Sequence, residues 1–136
     1  MTHPKNMYSK TLLLLSALVT VFHVLILIRL IPYEITWGGN LKTVEEMYVF
    51  ETLSILINLF FAFILLQKGE YIRYVMGRKT VNMILWIFFV LFVLNTIGNL
   101  FAKTNFEKFF TLLTLTSAIL IWLIQRAAAA PKYSSK

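Results

Sequence analysis

Apolar positions in this chain fill four long stretches, 11–31, 47–67, 81–102 and about 106–125, and polar residues gather between them. A hydrocarbon core about 30 Å thick takes about 20 helical residues, and each stretch supplies close to that. The pattern predicts an all-α fold: a four-helix transmembrane bundle forming one domain over 1–136. Pro32 is expected to stop the first helix, because the residue before a proline avoids helical geometry. The link 32–46 is the longest, and its Gly38-Gly39 pair predicts a tight turn. The third link, near 103–105, is short enough to make the last two helices an antiparallel hairpin. The link 68–80 reads as a solvated loop or a segment lying on the membrane surface. Residues 127–136 read as a fraying tail.

Composition strengthens this picture. The chain is 59% hydrophobic with a mean hydropathy of +0.76, which argues against a soluble domain. The first stretch is preceded by Lys5 and Lys10, as a leader would be. It is too long for one, and no small-residue cleavage site follows, so it reads as a retained helix.

Charge then sets an orientation. Lys5 and Lys10, then Lys68, Arg73, Arg78 and Lys79, then Arg126, Lys132 and Lys136 make nine of the 13 Lys and Arg, all on one side of the predicted bundle. The opposite links hold only Lys42, Lys103 and Lys108. The excess of basic residues inside predicts cytoplasmic N and C termini in a plasma membrane. Trp37, Tyr33 and Tyr48 then fall at the outer interface, and Trp86 and Trp122 near the inner one. The net charge of +7 is thus a topology signal, with membrane lipids as partners and no nucleic acid.

The chemistry available is narrow. Cys is absent and only two His are present, of which His3 lies in the N-terminal tail. Thiolate sites, disulfides and a bis-imidazole haem are excluded, and no metal and no cofactor are expected. No P-loop, GxSxG or HExxH motif occurs. What remains is a set of polar residues inside the spans. Ser16, Thr20 and His23 share a face of the first helix, Glu51, Ser54 and Asn58 form a stripe on the second, and Asn95 and Asn99 stack on the third. On a rise of about 1.5 Å per residue, His23 lies about 12 Å and Glu51 about 7 Å below the outer surface. Turned inward, these stripes predict a polar chamber in the outer half, open to the outside, over an apolar floor.

Ser16, Thr20, Ser54, Asn82, Thr114 and Ser117 are expected to make hydrogen bonds between helices. Ionisable residues in hydrocarbon are functional candidates by default, which singles out His23 and Glu51 as a meeting pair. The expected ligand-binding set is His23, Arg29, Glu34, Glu51, Asn58, Asn95 and Asn99, with Arg29 and Glu34 at the mouth. The leading expectation is a protein that binds, and could transport, a small molecule, lipid or ion. An intramembrane enzyme using His23 and Glu51 for acid–base work is the second; an accessory subunit of a larger complex is the third. Limited helix surface and many lipid-facing Phe suggest a homodimer.

Overall fold

A computed structural model describes residues 4–129; the readings of His3 and of the tail beyond 129 fall outside them. Four helices account for most of this chain: α1 (Pro4–Leu27), α2 (Val44–Lys68), α3 (Arg78–Leu100) and α4 (Asn105–Ala129). At 23–25 residues each they are about 35–38 Å long. All four are long and apolar enough to cross a membrane. The expected all-helical four-helix bundle is present.

Helix boundaries differ from the apolar stretches for local reasons. α1 is already helical at Pro4, the first described residue, well before residue 11; a proline is at home in a first helical turn, which does not use its missing N–H. It also ends at Leu27, before the expected stop at Pro32. Arg29 turns left-handed (φ 64°), and the N–H groups of Leu30 and Ile31 fold back to the Leu25 carbonyl at 2.9 and 3.2 Å. This wrap satisfies the last carbonyls of α1. Ile28 and Leu30 prolong the apolar run, but they lie exposed beyond the helix.

Thr43 caps α2, its hydroxyl accepting from Glu46 N–H at 3.1 Å, while the Glu46 carboxylate accepts from Lys42 N–H at 2.8 Å. Thr104 caps α4 in the same way. Its hydroxyl accepts from Glu107 N–H at 3.2 Å and donates to Glu107 Oε2 at 2.7 Å.

The helices form an antiparallel ring, in which α1 packs on α2, α3 on α4, and α4 closes against α1. The α2–α3 contact is the thinnest of the ring. We call the end holding residues 28–43 and 101–104 the loop end, and the other the terminal end. The main core lies toward the terminal end, where Leu12, Phe61, Ile64, Leu65, Val81, Leu85, Ile121 and Ile124 are almost fully buried. Phe61 joins α2 to α3 there, with ring centroids 4.5 Å from Phe88 and 5.4 Å from Phe92. A smaller cluster of Ile26, Leu41 and Met47 anchors the loop end.

Polar groups brace the terminal end. Gln67 Oε1 accepts from Val75 N–H at 2.9 Å and Met76 N–H at 3.0 Å. Lys68 donates to Asn82, and Gln125 donates to the Asn82 carbonyl. The link after α2 is therefore a folded turn pinned to the bundle. Around the ring, Leu14, Leu18, Leu56, Leu59, Ile87, Val90 and Leu94 are exposed, the outward face that a hydrocarbon solvent requires.

Candidate functional site

His23 and Glu51 meet. Antiparallel pairing of α1 with α2 brings His23 Nδ1 to 2.6 Å from Glu51 Oε2. The Glu51 side chain is fully buried and that of His23 is 16% exposed. The other carboxylate oxygen, Oε1, accepts from Trp37 Nε1 at 2.9 Å. Both carboxyl oxygens are thus engaged, as burial of a polar group requires.

Trp37 was expected in an interfacial aromatic belt. It lies at the loop end, 42% exposed, with its indole N–H turned toward Glu51, because Trp37, Gly38 and Gly39 all take positive φ (54°, 68° and 68°). Gly38 is required in its place, since a Cβ there would lie 3.0 Å from Asn40 Nδ2 in a left-handed backbone. The same turn aims the Gly38 N–H at Glu107 Oε1 on α4. Two carboxylates, one from each helical hairpin, hold this loop against the bundle.

Beneath the loop lies a cavity of about 560 Å³ with contributions from all four helices. Its wall includes His23, Asn58, Asn95 and Asn99, four of the seven residues expected to bind a ligand, together with Trp37 and Glu107. Glu51 is not in the wall: it stands behind His23 and Trp37 and orients them. Arg29 and Glu34 are also absent from the wall. Both are exposed, because the chain leaves the helix at Arg29 and the next turn carries them away from the bundle axis.

The expectation of a polar chamber also needs correction. Most of the wall is apolar, contributed by residues such as Leu12, Leu15, Phe61, Phe88, Leu91 and Leu113. Several polar side chains spend their hydrogen bonds on backbone carbonyls. Thr114 bonds the Phe110 carbonyl at 2.9 Å, Ser117 that of Leu113 at 2.9 Å, and Asn58 that of Ser54 at 2.9 Å. Ser16 reaches the Asn58 carbonyl across the α1–α2 interface at 3.5 Å. The groups still able to bond a guest lie toward the loop end: Asn95, Asn99, Glu107 and the second nitrogen of His23.

Residues 35–38 and 40 form part of the wall at the loop end. On the α2–α3 side, where neighbouring helices touch least, the wall reaches the outer surface. Ile57 on α2 and Leu91 on α3 line the cavity yet are 45% and 46% exposed. Gly98 on α3 also lines it, and a Cβ there would meet nothing within 4 Å. Nearer the terminal end the α2–α3 seam is packed by Phe61, Phe88 and Phe92.

Trp37 and Glu107 are the site residues that sequence reasoning missed. For Glu107 a signal existed, the Thr104-x-x-Glu107 capping pattern before an apolar run. For Trp37 none did, since the sequence around a belt tryptophan does not show whether its N–H bonds a buried carboxyl group. Comparison with protein-family models, curated proteins and solved structures finds no significant match, so the geometry of this cavity is what a functional reading stands on.

Proposed function

We propose that the chain is a small polytopic protein of the plasma membrane that binds a small amphipathic molecule between its helices, in the outer half of the bilayer. The observation that carries this reading is the cavity of about 560 Å³ with an apolar body and polar groups at one end. Its size falls in the usual range for small-molecule sites, about 300–1,000 Å³, and so does its make-up, mostly apolar with a few convergent polar groups. The roles are as follows: His23, Asn95 and Asn99 bond the ligand's polar end, Asn58 borders its path inward, and Glu51 positions His23.

Native mass spectrometry of the protein, extracted gently from its membrane, tests this directly. The expected result is an adduct of defined mass that Gly98→Trp loses while keeping the parent melting temperature. Gly98 lines the cavity, and a Cβ there would meet nothing within 4 Å. Absence of any adduct across extraction conditions counts against binding.

The orientation belongs to the same proposal. Both termini are cytoplasmic and the loop end faces outward, by the distribution of basic residues. A single Asn40→Cys in this cysteine-free chain should react with an impermeant maleimide from outside only. Labelling from the cytoplasmic side alone overturns the orientation.

A second reading has one observation in its favour. A carboxylate on Nδ1 fixes an imidazole ring and leaves Nε2 for proton transfer, and His23 so held lines the cavity. Under this reading His23→Gln keeps the adduct, and the bound molecule is the unconverted substrate rather than the species found with the parent protein.

A further inference from the structure

The charge inside the cavity is one-sided. Glu107 lines it and is 7% exposed. No Lys or Arg lines it, and no ion pair among the described residues includes Glu107. Lys103 and Lys108, its neighbours in sequence, are exposed and outside the wall. His23 does not supply the missing charge, because its Nδ1 is committed to Glu51. The two Glu107 oxygens accept from Gly38 N–H and Thr104 Oγ1. A carboxylate has about four acceptor positions, so two remain. A carboxylate shielded from water and lacking a cation is costly, and a ligand that brings the cation removes that cost.

Aromatic rings stand around the same end. Phe22 lies with its centroid 5.6 Å from Phe106 and 5.2 Å from Phe110, and all three line the cavity with Trp37. The faces of such rings attract an ammonium group, and quaternary ammonium most of all, because its charge is spread over methyl groups. Below them the wall turns to Leu and Phe, and the thin α2–α3 seam, where Ile57 and Leu91 both line the cavity and face outward, sits at a depth that lipid tails would occupy. A molecule arriving by that route is dissolved in the membrane and carries a hydrocarbon body.

Resting on the binding reading above, we propose that the cavity takes an amphipathic amine: one ammonium head, held by Glu107 and the surrounding rings, on a hydrocarbon body drawn from the bilayer through the α2–α3 seam. An anionic head is opposed by Glu107. A neutral head leaves Glu107 without a counter-ion.

The test uses the full chain in neutral maltoside micelles, with Trp86 and Trp122 changed to Phe so that Trp37 is the sole reporter in the wall. Three probes share one sixteen-carbon chain: hexadecyltrimethylammonium, hexadecanol and hexadecyl sulfate, compared at equal mole fraction in the micelle. The ammonium probe should bind at least about tenfold more tightly than the alcohol, which corresponds to about 1.4 kcal/mol, with the sulfate weakest. Glu107→Gln should bring ammonium and alcohol to within about twofold. Because Glu107 also holds Gly38, Phe22→Leu and Phe110→Leu provide an independent reading. Each should lower the preference for ammonium over alcohol several-fold. Equal binding of ammonium and alcohol by the parent protein overturns the amine proposal and leaves the binding reading standing. If no probe shifts Trp37 emission in the parent protein, the binding reading itself falls, and the proposal with it.

Discussion

His23→Leu and Glu51→Leu should each destabilise the protein by about 1–3 kcal/mol, the usual loss when a buried hydrogen-bonding group is left without its partner. The double variant should lose less than the two losses added, by about 1–3 kcal/mol. The asymmetry comes from what is left behind. Glu51→Leu strands the His23 ring nitrogen and the Trp37 indole N–H together, whereas His23→Leu strands one oxygen of a fully buried carboxylate. With both gone, only the indole N–H remains without its acceptor. Adding Trp37→Phe to the double variant should then recover about 1 kcal/mol, since an unmet buried donor costs about that much or more. Unfolding in mixed micelles gives all four numbers. Strict additivity of the two single losses would mean that the 2.6 Å contact carries no energy.

Gln67→Leu should loosen the turn after α2 and cost about 2 kcal/mol. Gln67 is fully buried, and its Oε1 is the acceptor for two successive N–H groups, those of Val75 and Met76. Leucine fills a similar volume but accepts nothing, and each buried N–H left unmet costs about 1–3 kcal/mol. The lower figure applies because Val75 is 75% exposed and water can reach its N–H. Trypsin has sites at Arg73 and Arg78 in and beside this turn. Cleavage there should accelerate in Gln67→Leu and return to the parent rate in Gln67→Glu, which keeps the acceptor. Unchanged cleavage in Gln67→Leu would show that other contacts fix the turn.

The bundle was legible in the sequence because a membrane-length helix leaves a crude signal, about 20 apolar residues in a row. The His23–Glu51 meeting was legible for a related reason: on antiparallel helices joined by one link, depth along the helix nearly fixes which residues face each other. The loop between α1 and α2 was not. Its shape depends on four left-handed residues, and two of them, Arg29 and Trp37, are types that rarely adopt that conformation. Arg29 was placed at the cavity mouth as part of the first helix and Glu34 as part of the link after it; the helix ends before Arg29, and both lie exposed outside the wall. The chamber's polarity was overstated because apolar side chains between the polar stripes make most of the wall. In α4, Thr114 and Ser117 bond carbonyls of their own helix, a use of hydroxyls common inside helices. Glu107 escaped notice because a residue in a helix-capping pattern has an adequate local reason to exist.

The tie between the loop and α4 runs through the main-chain N–H of Gly38, not through a side chain. A survey that replaces residues of the α1–α2 loop one at a time by alanine therefore never removes this donor. At position 38 it would register only the strain of forcing a Cβ into a left-handed backbone. At every other loop position the tie persists. Such a survey would score the loop as tolerant and unimportant to the second hairpin. The attachment is visible only from the far side, by changing the acceptor at Glu107.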